Sequence, residues 1–472
     1  MEILHVSAEC YPVAKAGGLA DVVGSLPKYQ QELGHIAKVV MPMHRMSFLY
    51  KNEWEVVHKG WFRMGESSFD FTIIKEKQNK LGFDLYCVDI HGLLDREKIY
   101  GYDDDTERFL AFQVSVLEWL SKWNHQPDVV HVHDHHTALI PFMMKHCFAY
   151  RHLSQIPTIL TIHNAQYQGW MGWDKATYLP AWDTWKWGLL EWDHTVNSLA
   201  CGIKCADKVN TVSPGYMAEL MQSANGLEHL ISHESSKCSG ILNGIDYSVW
   251  NPETDTYILD NYSVEDADSG KKLNKKKLCD DLQFDINLPL FVFIGRLVHE
   301  KAADLLPAVI SSAFARFGPV FNFVVLGNGM KQVEEALDYL RNHWFDYYHS
   351  QIEYNEKFSH QLYAGADFLL MPSRVEPCGL NQMYSMRYGT VPMVRRTGGL
   401  NDTVIDFGEK EGYGICFNHA SIDDVLHAME RALGLYRDKD QFFQIRERMM
   451  RINNSWENSA SSYIALYQSI QK

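Results

Sequence analysis

Apolar and polar residues along this chain follow two alternating periods. Ile3 to Ala8 is a short apolar run that reads as a strand. Leu19 to Leu33 repeats its apolar positions at helical spacing despite Pro27. Ala37 to Met41 is the next strand, and Trp54 to Asp89 alternates like several strands. The pattern continues with a helix over Glu107 to Trp123, a strand over Val129 to His133 and a helix over Thr137 to Ala149. A strand over Thr158 to Ile162, a helix over Val196 to Lys204 and a strand over Lys208 to Val212 complete the series. Such alternation predicts a doubly wound parallel sheet. After a polar, lysine-rich stretch, Glu265 to Lys277, a fresh alternation starts at Leu290. It predicts a second sheet of the same kind.

The expected organisation is an α/β protein of two Rossmann-like domains facing an interdomain cleft. The N-terminal domain spans 1–240 and a turn-rich hinge linker, containing ILNGID, spans 241–252. The C-terminal domain spans 253–454, and a last helix, 455–472, is free to pack elsewhere. Ligands in open α/β sheets bind outside the carboxyl ends of the strands, so site residues are sought there.

Composition narrows the possibilities. With 472 residues, 46% hydrophobic and 22% charged, the chain is an ordinary globular protein of two or three domains. A net charge of −15 argues against nonspecific nucleic-acid binding, which needs a basic face. Nine Cys without a CxxC pair fit a reducing cytoplasm better than a disulfide framework. No signal peptide and no membrane-spanning run is read from the sequence. Of the 13 Trp, six fall between Trp170 and Trp192, where they serve either core packing or sugar stacking.

Candidate chemistry gathers at predicted strand ends. Glu376 to Leu400, EPCGLNQMYSMRYGTVPMVRRTGGL, follows the apolar run Phe368 to Met371 and offers two strand-to-helix turns beside a carboxylate. Helix starts leave amides without intrahelical partners and favour negative charge, which is the physics of an anion site. Lys15-Ala16-Gly17-Gly18 after the first strand is a second such turn. It departs from both GxxxxGK[ST] and GxGxxG, and by itself fits a structural turn as well as a ligand loop. Arg296 and Lys301 follow strand FVFIG and suit a diphosphate clamp, the bland reading being salt bridges to Glu300 or Asp304. HVHDHH at 131–136 lacks the HxHxDH order of a dinuclear zinc site, and no partner set follows at ligand spacing. Asp134 and His163, at the ends of adjacent strands, instead suit hydroxyl binding.

Taken in register, KAGGLADV, VHVHDHH, IHNAQYQG, TVSPGY, ILNGID, GRLVHEK, EPCGLNQ and VRRTGGL resemble the bacterial glycogen synthase and plant starch synthase family over nearly the whole chain. The resemblance implies the glycosyltransferase B architecture. It implies retaining transfer of glucose from ADP-glucose to the 4-OH of the non-reducing end of an α-1,4-glucan such as glycogen, in the cytoplasm, with no metal or other cofactor. It casts Glu376, His163, Arg296 and Lys301 as catalytic. It places Lys15, Gly17, Gly18, Asp21, Tyr100, Asp134, Asn164, Asn197 and Tyr354 in substrate binding, with Cys378, Gly379, Leu380, Thr397, Gly398 and Gly399.

Departures from the family pattern are Ala16, His135, Asn381 and the residues flanking Lys301, where Glu300 and Ala302 stand in place of Gln and Gly. Glu300 is expected to face solvent. Two other readings stay open on the residues: a glucosyltransferase acting on a small-molecule acceptor, and a non-catalytic glucan-binding protein.

Overall fold

The computed structural model describes residues 1–471. The chain divides into two compact units, Met1–Asn243 with Trp456–Lys472, and Gly244–Ser455. The first unit holds a nine-stranded sheet. In spatial order its strands are Cys238–Gly240, Lys208–Thr211, Thr158–Ile162, Val129–His133, Glu2–Val6, Ile36–Pro42, Asp84–Asp89, Ser67–Glu76 and Trp54–Met64. All pair in parallel except the last two, which add an antiparallel hairpin at one edge. The central strands Val129–His133 and Thr158–Ile162 are buried throughout, as strands covered by helices on both faces must be.

The second unit is a six-stranded, all-parallel sheet. Its order is Tyr348–Gln351, Asn322–Leu326, Leu290–Ile294, Phe368–Met371, Val391–Arg395 and Ile415–Phe417. Numbered along the chain within this unit, that is 3-2-1-4-5-6, the Rossmann order. In both units the order reverses beside the first strand. The two switch points lie between Glu2–Val6 and Val129–His133, and between Leu290–Ile294 and Phe368–Met371.

The last helix, Trp456–Gln468, belongs to the first unit. There Trp456, Tyr463, Ile464 and Tyr467 share a core with Val22, Leu26 and Ile159. The lysine-rich stretch is a helix, Ala267–Leu282. Its buried face carries Ala267, Gly270, Lys271, Asn274, Lys275 and Leu278 at spacings of three and four. Lys271 stays inside because its Nζ is surrounded by acceptors, the carbonyls of Tyr363, Ala364 and Tyr388 and Thr390 Oγ1, at 2.9–3.1 Å, which share its three N–H groups. Burial pushes its pKa well below the ordinary lysine value. Lys275 pairs with Asp367 at 2.7 Å.

These bonds set a stability prediction. Lys271→Met removes the side-chain donor to the Ala364 carbonyl, leaves the Tyr363 and Tyr388 carbonyls with Thr390 Oγ1 and the Tyr262 hydroxyl alone, and should destabilise the second unit by roughly 1–3 kcal/mol. The neighbouring exposed Lys272→Ala should change stability by less than about 0.5 kcal/mol. Urea denaturation midpoints of the two variants check this.

Candidate active site

In the first unit, the loop after the first strand is organised by a residue the motif reading passed over. Glu9 is buried, and its Oε2 accepts the backbone N–H of Ala16 (2.5 Å) and Gly17 (3.0 Å). Its Oε1 accepts the Tyr100 hydroxyl at 2.6 Å. The expectation that amides at this helix start stay open to an anion is therefore corrected for Ala16 and Gly17, because the buried Glu9 carboxylate needs donors and takes these two amides. A carboxylate just past a strand end was the available signal for Glu9. Lys15 is half-exposed and pairs with Asp21 at 2.6 Å. Gly18 opens the helix Gly18–Glu32. A Cβ on Gly17 or Gly18 would meet nothing within 4 Å, and Gly17 has φ −147°, which any residue adopts. The fold's own packing does not require glycine at either position.

Asp134 closes the neighbouring strand in a left-handed conformation, φ +56°. That conformation is one Asp tolerates better than most residues, and it is found often at functional sites. Asp134 is buried, and its Oδ1 accepts the N–H of His163 at 2.7 Å and of Asn164 at 3.4 Å. Burial raises its pKa to about 7, partly opposed by those two amides. The carboxylate thus shapes the 163–164 turn directly. Asn164 uses its Oδ1 to accept the N–H of Gln166. His163 is buried with its pKa held down to about 3 by desolvation, so the ring is neutral. Its Nε2 lies 3.0 Å from His133 Nδ1.

His5, His131 and His133 bring ring nitrogens within 4.8 Å of one another. All six of those nitrogens already face protein groups. Asn197 is fully buried, caps the helix Ser198–Cys205 through Ala200 N–H and donates to Gln168 at 2.7 Å. Both ends of its side-chain amide are thus engaged within the fold. Trp170 and Trp192 lie in a small sheet formed by Trp170–Met171, Thr195–Asn197 and Glu191–Trp192. Around it Trp173, Trp185 and Trp187 are exposed, Trp185 to 89%.

In the second unit the switch point carries the charged residues. Lys301 Nζ sits 2.6 and 2.5 Å from the two Glu376 oxygens. Glu376, 5% exposed, also accepts from Ser373 Oγ at 2.9 Å. Asp304 is held bidentately by Arg374, at 2.6 and 2.9 Å, so it is not the partner of Arg296 or Lys301. Glu300 is half-buried rather than exposed, and its carbonyl accepts the N–H of Arg374 and Val375. Ala302 adopts φ +53°, ψ +31°, the left-handed conformation that glycine takes without strain. Asn381 donates to the Ile294 carbonyl at 2.6 Å and so closes the end of the central strand. The exposed Arg296 guanidinium makes no ion pair or side-chain hydrogen bond among the described residues.

The glycine turns beside Glu376 are packed, not open. The N–H of Gly399 donates to the carbonyls of Glu376 (3.1 Å) and Pro377 (3.2 Å), a second correction to the expected free amides. A Cβ on Gly398 would lie 2.2 Å from the Glu376 carbonyl oxygen, and one on Gly399 2.1 Å from that of Cys378. Gly379 and Gly398 have φ +75° and +43°. Thr397 and Cys378 are buried, and Leu380 precedes the helix Asn381–Arg387. Tyr354 is on a loop after Tyr348–Gln351, 77% exposed.

Two family models match the chain: the starch synthase catalytic domain over residues 2–233, and glycosyl transferases group 1 over residues 274–449. A glycogen synthase of Flavobacterium johnsoniae is 50% identical over 470 residues, covering 100% of this chain and 99% of that one. A glycogen synthase of Clostridioides difficile is 35% identical over the full length of both. Among solved structures, the catalytic domain of starch synthase IV from Arabidopsis thaliana, bound to ADP and acarbose, superposes with a TM-score of 0.88 at 30% identity. It covers 99% of each chain. A sucrose-phosphate synthase from Thermosynechococcus elongatus shares the fold, with a TM-score of 0.64 at 15% identity.

The contrast between the two glycine pairs gives a prediction. Gly17→Ala should leave stability unchanged or raise it by about 0.4–1 kcal/mol while raising the KM for the donor. Gly399→Ala should destabilise by roughly 1–3 kcal/mol through overpacking. Thermal melts and donor titrations of the two variants separate these outcomes.

Proposed function

The chain belongs to the bacterial glycogen synthase and plant starch synthase family of glycosyltransferases, and on that footing we propose that its donor is ADP-glucose. The acceptor is the 4-OH at the non-reducing end of an α-1,4-glucan, and the anomeric configuration is retained.

One observation carries the reading. Just past the carboxyl end of the first strand of the second unit, the chain carries an exposed, uncommitted guanidinium, Arg296, and then an ammonium, Lys301, that is paired with Glu376. Breaking the sugar–diphosphate bond builds negative charge on the leaving diphosphate and positive charge on the sugar. Cations fixed in advance at the diphosphate favour that transition state over the ground state. Arg296 forks two oxygens and Lys301 supplies a point charge, so a divalent metal is not required. Glu376 has both oxygens engaged by Lys301 and Ser373. That arrangement suits a carboxylate that orients sugar hydroxyls rather than one that attacks the anomeric carbon.

In the first unit, Lys15 and the open faces of Gly17 and Gly18 suit close approach of the donor. His163 and the turn held by Asp134 suit the sugar ring. The exposed indoles of Trp173, Trp185 and Trp187 support a glucan acceptor, since aromatic faces stack on sugar rings. Nine free cysteines suit the reducing cytoplasm.

Labelled ADP-glucose incubated with glycogen primer and a chelator tests this. Label should enter glucan chains that lengthen with turnover, and ADP-glucose should be used in preference to UDP- and GDP-glucose. Arg296→Ala and Lys301→Ala should each lower kcat/KM by about 10²–10³. No incorporation, strict metal dependence or a product of disaccharide size would contradict the proposal.

A further inference from the structure

The polar interior of the first unit forms one continuous hydrogen-bonded chain that ends at His163. On adjacent parallel strands His5 lies opposite His131, and His133 opposite Thr161. Gln30 from the first helix and Tyr467 from the last helix close over this row. Every member is at most 8% exposed.

The direction of each bond follows from one end. Asn210 Nδ2 lies 3.4 Å from the carbonyl of Thr211, which can only accept, so that end of the amide is the donor. Asn210 Oδ1 then takes the single hydroxyl proton of Thr161, at 2.5 Å. Thr161 Oγ1 can therefore only accept from His131 Nε2, 2.6 Å away. A neutral imidazole has one N–H, so His131 Nδ1 accepts from Tyr467 Oη at 2.8 Å. With its proton committed, Tyr467 Oη accepts from Gln30 Nε2 at 3.0 Å. This turns Gln30 Oε1 toward His5 Nε2 at 2.8 Å, and His5 must donate. His5 Nδ1 accepts from His133 Nε2 at 3.1 Å, and His133 Nδ1 accepts from His163 Nε2 at 3.0 Å. Each step leaves one choice only while all four rings are neutral. Burial enforces this, holding His5 to about 4, His163 to about 3, and His131 and His133 well below the usual histidine range.

We propose that this chain fixes His163 as its Nε2–H tautomer, so that Nδ1 offers the donor sugar a lone pair that can only accept a hydroxyl proton. The proposal makes Tyr467, on the C-terminal helix, and Gln30 positioning residues for the transfer, acting through His163. It rests on the reading of His163 as a donor-site residue. Among the described residues His163 Nδ1 has no hydrogen-bond partner, which leaves it available for that contact. In the other tautomer Nδ1 carries the proton and cannot accept one from a sugar hydroxyl.

Nitrogen-15 NMR of histidine-labelled, unliganded protein tests the tautomer without reference to activity. His163 should show a protonated Nε2 and a bare Nδ1 at pH 7. Tyr467→Phe keeps the ring packing and removes one hydroxyl, and Gln30→Met removes both amide atoms. Each should give His163 a mixture of the two tautomers and lower kcat roughly tenfold, less than the 10² lost with a direct contact. KM for the glucan should not change. A wild-type His163 protonated on Nδ1 overturns the proposal. So does retention of the tautomer and of full kcat in both variants. Full turnover by His163→Gln would instead sink the donor-site reading and the catalytic consequence with it, while the wild-type spectrum would still decide the tautomer.

Discussion

The second unit depends on one contact, the ion pair between Lys301 and Glu376. Glu376 is almost wholly buried and Lys301 is three-quarters buried. A carboxylate taken that far out of water needs a cation and further hydrogen bonds, which Lys301 and Ser373 provide. The pair joins the 299–301 turn to the 373–380 loop. The Glu376 carbonyl then receives the N–H of Gly399, tying in the start of a third segment. Arg374 reinforces the same junction by gripping Asp304 and the His299 carbonyl. With Lys301 and Arg374 committed in this way, Arg296 is left as the uncommitted charge of the group.

The first unit uses a related device twice. Glu9 holds the Ala16–Gly17 amides and the Tyr100 hydroxyl, and Asp134 holds the amides of His163 and Asn164. In each case an acid at a strand end, beside the point where strand order reverses, fixes a turn carrying residues cast for the chemistry. The strand order thus accounts for where the charge lies. It does not require the glycines at 17 and 18, which the protein's own packing leaves unexplained and which suit a ligand's close approach.

Both Rossmann units were legible because their strands are continuous apolar runs separated by helical spacings. The helix Ala267–Leu282 was not, since its inward face is built from Gly270, Lys271, Asn274 and Lys275, and hydrogen bonds replace hydrophobic burial there. The charged motifs lie just past strand ends, as their spacing in the sequence suggested, and the departure at Asn381 proved to close the end of a central strand. What the motifs could not reveal was commitment. Asn197, the amides of Ala16 and Gly17, and that of Gly399 look available in a string of letters, but each has an internal partner set by distant residues. The histidine row was likewise visible only as HVHDHH, because His5, Gln30 and Tyr467 come from three other places in the chain.

The central claim is that side-chain cations, rather than a metal or free helix amides, receive the nucleoside diphosphate. A crystal structure of the protein with ADP, grown in chelator, tests it most directly. The account predicts the diphosphate oxygens within hydrogen-bonding distance of the Arg296 guanidinium and the Lys301 ammonium. A diphosphate bound away from both, or held by a metal ion, would contradict it.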